Sequence, residues 1–251
     1  MRHLMFVVVL QIVLYPNLKA QNAPDSVGEK HTDDGHFHWK HMVIPAGFIG
    51  YGIASLSSQD IGQINYSTRN EINEHQPGHI RLDNYTQYLP AAMVYGFNAA
   101  GIKGEHTFKD RSIIYAASQL IVAGITVPLK HLVKEERPDS SNFLSFPSGH
   151  TATAFSSAWF MYKEYHKNHF WLSLSGIPLA TFTGVYRTLN NKHWVGDVVA
   201  GAGIGILSTE LSYWLFPKIG SLSHHSKHAH AAMIVPYVQD GSYGVGFVKQ
   251  L

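Results

Sequence analysis

The stretch HWVGDVVAGAGIGILSTELSYWLF, residues 193–216, decides how this chain folds. From 194 to 216 it carries only Asp197 and Glu210 as charges, and it is long enough to supply the ~20 residues of a membrane helix. Its centre, AGAGIGIL (200–207), has the glycine density of a nucleotide loop. No strand pattern precedes it, however, and glycines this dense in an apolar helix let a neighbouring helix approach closely. The stretch reads as a helix, tightly packed on its neighbours.

Working outward, similar uncharged or nearly uncharged stretches occur at 42–59, 84–102, 112–129, 148–162 and 168–186. Several are short for a span or studded with Ser, Thr, Asn and Gly. Segment 42–59, with Pro45, Gly47, Gly50 and Gly52, is the weakest and fits an interfacial piece as well as a crossing. The expectation is an all-α bundle of about six helices spanning a membrane, one domain over 42–216. A mean hydropathy of −0.07 is low for six spans, so a soluble helical bundle is the competing architecture.

The ends read differently. Arg2, the apolar run Leu4–Leu14 and Ala20 form a signal-peptide pattern over 1–20, the run being too short to cross a bilayer. Residues 21–41 are a polar lead-in. The tail, 217–251, holds HHSKHAHA (224–231) and then two short alternating runs about Asp240-Gly241, which predict a hairpin. The histidine clusters at 31–41 and 224–230 read as solvated linkers rather than metal sites.

Composition narrows the function. Charged residues are 14% of the chain against 45% hydrophobic, well below the roughly 25% charged of a soluble domain. A net charge of +2 gives no field to recruit nucleic acid. The absence of cysteine excludes disulfides, thiolate nucleophiles and cysteine-ligated zinc.

Loop charges speak to orientation. Lys103, Lys109, Arg111, Lys163 and Lys167 crowd the loops 103–111 and 163–169, which the positive-inside tendency places in the cytoplasm, with 134–147 and 187–192 outside. A cleaved signal followed by three crossings would instead put 134–147 inside. The two signals agree only if an early segment, 42–59 foremost, does not cross.

Three short motifs end or begin helices on that second side. In KHLVKEERP, Lys130 and Arg137 are seven apart, two helical turns, so a helix running to Pro138 would project both from one face. PSGH (147–150) opens a helix, with Ser148 as its cap. In RTLNNKHWVGD, Arg187 closes a helix and His193 and Asp197 stand four apart on the next. Taken singly, each has a plain reading: an N-cap, snorkelling cations, a surface i, i+4 pair.

In an antiparallel bundle the four helix ends meet. Lys130, Arg137 and Arg187 then converge with the free amides of Ser148 and Gly149 on a site suited to a phosphate dianion. Asp197 accepts one N–H of His193 and leaves the other nitrogen as a nucleophilic lone pair, and His150 is placed to protonate a leaving oxygen and later activate water.

K-x6-R-P, P-S-G-H and R-x5-H-x3-D, in this order, resemble the three-part signature of the type 2 phosphatidic acid phosphatase and vanadium haloperoxidase superfamily, over roughly residues 84–216. The chain departs from the pattern at Tyr186, where the family usually has serine. The resemblance implies Lys130, Arg137, Arg187, Ser148 and Gly149 as phosphate ligands. It implies His193 as the nucleophile forming a phosphohistidine, Asp197 as its orienter and His150 as acid then base, with no metal or other cofactor. The expected enzyme is a membrane phosphatase of lipid phosphates with its site facing the periplasm. A soluble secreted acid phosphatase, a vanadate-dependent haloperoxidase and a catalytically silent membrane binding protein are the other readings.

Overall fold

The computed structural model describes residues 39–75, 81–225, 232–239 and 242–249. The signal-peptide reading, the start of the lead-in and most of both histidine clusters lie outside the described residues.

Each of the six uncharged stretches forms helix. After a short 3-10 turn (Trp39–Met42) come α1 (Val43–Ser57), α2 (Gln59–His75), the single turn α3 (Asp83–Thr86), α4 (Leu89–Ala99), α5 (Phe108–Val133), α6 (Gly149–Tyr165), α7 (Phe170–Leu174), α8 (Gly176–Leu189) and α9 (Val195–His225). The polar helix α2 was not anticipated; its residues lack a membrane-helix pattern, and it is held by tertiary contacts described below. The tail forms the expected hairpin, β1 (Ala232–Gln239) antiparallel to β2 (Ser242–Lys249), with Gln239 opposite Ser242.

Helix α9 is the axis of the bundle, packing on α1, α5, α6 and α8. Its glycines permit this. A Cβ at Gly201 would stand 2.5 Å from the Ser148 carbonyl, and one at Gly205 would stand 2.3 Å from the Ala152 carbonyl, both backbone atoms of α6 and its cap. On the opposite face Gly203 meets Pro45 and Ile49 of α1. The glycine run is thus a packing surface, as close helix approach requires.

Segment 42–59 is not a cap on the bundle's edge. Helix α1 runs alongside α9 from His41, 3.4 Å from Glu210, to Gly52 and Ser55, which press on Ala200 and Gly196. It therefore runs along the part of α9 from Gly196 to Glu210, and residue 41 lies at the end opposite the three motifs.

The Ser, Thr and Gln residues that depress the hydropathy point inward. Ser156 bonds Ser118 at 3.2 Å and Thr209 at 2.9 Å, Tyr115 meets Ser157 at 2.9 Å, and Ser212 donates to the Ile114 carbonyl at 2.6 Å. Such interhelical bonds hold membrane bundles together at about 0.6 kcal/mol each. Large apolar side chains meanwhile face out along α5: Leu120 is 74% exposed and Leu132 77%. Phe108–Val133 and Val195–Lys218 are each long and apolar enough to cross a membrane.

A polar pin closes the end remote from the motifs. Glu164, fully buried, accepts from His106 Nδ1 and Tyr213 Oη at 2.7 Å each, with Arg111 Nε 3.9 Å away. Glu210 is likewise engaged, by Trp159 Nε1 at 2.7 Å and Lys163 at 3.2 Å. It is both an interior anchor and a neighbour of the far rim.

Candidate active site

All eight residues drawn from the motifs gather at one end of the bundle. Ser148 caps α6 as expected: it is fully buried, and its hydroxyl accepts from the Thr151 amide and lies 2.8 Å from Thr151 Oγ1. Its own amide is not free, contrary to expectation, because it donates to the Asp197 carbonyl at 3.0 Å. That bond stitches the start of α6 to the start of α9. The first-turn amides left for an anion begin at Gly149.

Two helix boundaries differ from the spacing argument. Helix α5 ends at Val133, and Lys134 takes the left-handed conformation (φ 54°), its amide bonding the Lys130 carbonyl. Arg137 therefore reaches the site from the loop and not from the helix face carrying Lys130. Pro138 constrains only the residue before it; the left-handed cap at Lys134 stops the helix earlier. His193 likewise lies in the turn before α9, which starts at Val195. Asp197, in the first turn, accepts from the Trp194 amide at 3.0 Å, so the turn is wrapped about the carboxylate.

The cations are differently committed. Lys130 Nζ donates to the Leu144 and Ser145 carbonyls at 2.7 and 3.1 Å, using two of its three N–H groups and leaving one for a ligand. Arg187, only 8% exposed, is paired through Nη1 with Asp83 Oδ2 at 2.6 Å. Nε of both Arg137 and Arg187 is buried without a partner. Buried donors of this kind are costly unless something accepts from them. Arg137 and Arg187 lie close enough that burial first, and then their mutual repulsion, lowers the Arg137 pKa. An anion between them answers both penalties.

His193 is 2% exposed, with Nδ1 3.4 Å from Asp197 Oδ2. Burial outweighs the carboxylate and pushes its pKa down to about 4, so the imidazole is neutral at ordinary pH. With Nδ1 turned to Asp197, Nε2 is the nitrogen that this contact leaves free. His150, half-buried in the first turn of α6, places Nε2 2.9 Å from Asn84 Oδ1. Arg187, Asp83, Lys130 and Arg137 are all near enough to act on it electrostatically. Tyr186, the departure from the family pattern, lays its ring 4.3 Å from Phe182.

Several site-building residues gave no sequence signal. Asp83 and Asn84, on α3, hold Arg187 and His150 from more than 60 residues away. Ser145 Oγ donates to Asp197 Oδ2 at 2.5 Å. Helix α2 braces the turn that carries His193: Asn65 Oδ1 accepts from the Gly196 amide at 3.1 Å, and Tyr66 and Arg69 lie against the Trp194 ring. The one available hint was charge at the edge of an uncharged segment, since a buried carboxylate such as Asp83 needs a cation.

A buried imidazole held by a carboxylate, beside unpartnered guanidinium nitrogens at one end of a helical bundle, is an arrangement suited to an anion such as phosphate. The family model described as the PAP2 superfamily matches residues 111–221, the region holding all eight motif residues. The chain is 36% identical over 138 residues to a lipid A 1-phosphatase of Porphyromonas gingivalis, covering 55% of this chain and 31% of that one. It is 29% identical over 177 residues to the bacitracin transport permease protein BcrC of Bacillus licheniformis, covering 62% and 83%. The chain thus spans about a third of the length of the first relative. Among solved structures it is similar to Aquifex aeolicus LpxE, with a TM-score of 0.45 and 22% identity over 59% of this chain and 94% of that one.

Proposed function

We propose that this chain is a membrane phosphatase that hydrolyses a phosphomonoester or pyrophosphate of a lipid through a phosphohistidine, without a metal ion. The observation that carries this is the pair of buried, unpartnered guanidinium nitrogens of Arg137 and Arg187 beside a buried neutral imidazole held by Asp197.

In this reading Arg137, Arg187, the remaining N–H of Lys130 and the Gly149 amide hold the phosphoryl oxygens. These fixed donors stabilise charge as the bond to the leaving oxygen breaks. His150 takes up a proton from solvent as the phosphate dianion binds beside it; His193 Nε2 then forms a bond to phosphorus as the ester P–O bond breaks, and His150 gives that proton to the departing oxygen. Asp197 stabilises the imidazolium that forms. His150 then takes a proton from water, whose oxygen attacks phosphorus; the N–P bond breaks, and His193 returns to the neutral state.

The lipid class is supported by the outward apolar face of α5 and by likeness to a lipid A 1-phosphatase. We place the protein in the inner membrane with the site on the periplasmic side. Helix α1 then begins at the cytoplasmic end, together with the basic loops 103–111 and 163–169. Single cysteines at Ser141 and Lys109, labelled by an impermeant reagent, test this sidedness in a chain without native cysteine.

The test of function is phosphate release, in chelator, from a panel of lipid A 1-phosphate, phosphatidic acid, polyprenyl pyrophosphate and a soluble aryl phosphate. Release from a lipid member, blocked by vanadate and indifferent to chelator, is expected. Loss of all activity in chelator would overturn the metal-free mechanism. Preference for the aryl phosphate, with extraction in soluble form, would favour the secreted acid phosphatase.

A further inference from the structure

The carboxylate that orients His193 is itself incompletely satisfied. Asp197 Oδ2 receives Ser145 Oγ and the Trp194 amide and faces His193, yet Oδ1 is buried with no donor. Glu135 lies beside it. It follows the left-handed turn at Lys134, and its backbone carbonyl accepts from the Ser145 amide at 3.0 Å, which fixes it next to the residue that bonds Asp197. Its Oε2 is also buried with no partner, and its side chain is within hydrogen-bonding reach of the Asp197 carboxyl.

Two carboxyl groups within reach of each other, each with a buried oxygen that has no donor, repel if both are ionised. A single proton between them removes the repulsion and supplies the missing donor. We propose that Glu135 is a positioning residue of this site: it carries that proton, donates it as a hydrogen bond to the Asp197 carboxylate, and so locks the group that orients His193. This assignment rests on the phosphohistidine reading of the site.

Which carboxyl holds the proton follows from the donors. Asp197 has a hydroxyl and an amide pointing at Oδ2, and these favour its ionised form. The groups acting on Glu135 are Asp197 on α9 and Lys130 on α5, with His193 behind Asp197 and Arg137 following two residues on. Burial, and then contact with Asp197, push the Glu135 pKa up to about 10 against the opposing pull of Lys130. Glutamine reproduces the donor and cannot lose it, whereas alanine removes it and leaves Asp197 Oδ1 without one.

The experiment compares wild type, Glu135→Gln and Glu135→Ala in purified full-length protein, with melting temperature alongside kcat and KM. Glu135→Ala is expected to lower kcat about tenfold with little change in KM, the usual scale for losing a partner that orients a reactive group. Glu135→Gln is expected to restore most of that kcat. Wild-type kcat in Glu135→Ala, or a kcat in Glu135→Gln as low as that of Glu135→Ala, overturns the proposal.

An infrared measurement needs no turnover. The resting protein at about pH 8 should show a protonated-carboxyl band that Glu135→Gln lacks, because burial beside Asp197 holds the Glu135 carboxyl well above the usual carboxylate range. Absence of that band in wild type overturns the assignment even if phosphatase activity is found, and its presence supports the assignment even where the substrate panel fails.

Discussion

Replacing Gly201 by alanine tests whether packing of α9 on α6 sets the geometry of the phosphate cradle. The added Cβ would stand 2.5 Å from the Ser148 carbonyl oxygen and 3.2 Å from Thr151 Cβ. Real Cβ contacts do not fall below 3.0 Å, so the start of α6 must retreat by at least 0.5 Å. The retreat pulls on the bond between the Ser148 amide and the Asp197 carbonyl, and it moves Gly149 and His150 away from His193. Overpacking of this kind costs about 1–3 kcal/mol, partly offset by the roughly 0.8–1.0 kcal/mol that alanine gains over glycine in a helix. The protein should still fold. A misplacement of 1 Å between reacting groups costs on the order of 100-fold, and half of that about tenfold in kcat. Gly124, on α5, has no atom within 4 Å of an added Cβ, so Gly124→Ala is the control and should gain about 0.5–1 kcal/mol with activity unchanged. The assay is phosphate release in proteoliposomes with melting temperatures measured in parallel. Wild-type kcat and stability in Gly201→Ala would refute the packing argument.

Two further outcomes follow from the buried charges. Asp83→Ala removes the partner of a buried arginine, an effect of about 3–5 kcal/mol, and should lower both melting temperature and phosphate affinity. Asp83→Asn should do so less, and a stable, fully active Asp83→Ala would show the pair to be dispensable. His193 binds its proton near 4 in the fold against 6.5 unfolded. The unfolded state therefore binds more protons between these values, and the stability present above 6.5 is lost as pH falls toward 4. At about pH 5 the loss is about 2 kcal/mol. Acid melts should show this loss as the difference between wild type and His193→Asn, since His150 contributes a loss of its own to both.

The motifs made the site legible because spacing along the chain fixes which residues sit at helix ends, and helix ends of an antiparallel bundle meet. The same reasoning misplaced details set by turns. Lys134 terminates α5 in a left-handed conformation that no proline or glycine announces, so Arg137 comes from a loop. The Ser148 amide is taken by Asp197, a contact between residues 49 positions apart. Asp83, Asn84, Asn65 and Glu135 were invisible because each acts through a tertiary partner and none follows a local pattern. The low hydropathy has a related source: Ser118 and Thr209 bond Ser156, and Ser157 meets Tyr115, inside the bundle, so an average over the sequence counts as polar what the fold turns inward.

The central claim is that His193 Nε2 becomes bonded to phosphorus. It is tested most directly by acid-free denaturing quench of the His150→Ala variant during turnover of an aryl phosphate, whose good leaving group bypasses the missing acid while hydrolysis of the intermediate slows. Peptide mass spectrometry should then find phosphate on His193, and on no residue when His193→Ala is added. Phosphate on another side chain, or release at an unchanged rate in His193→Ala, would contradict the account.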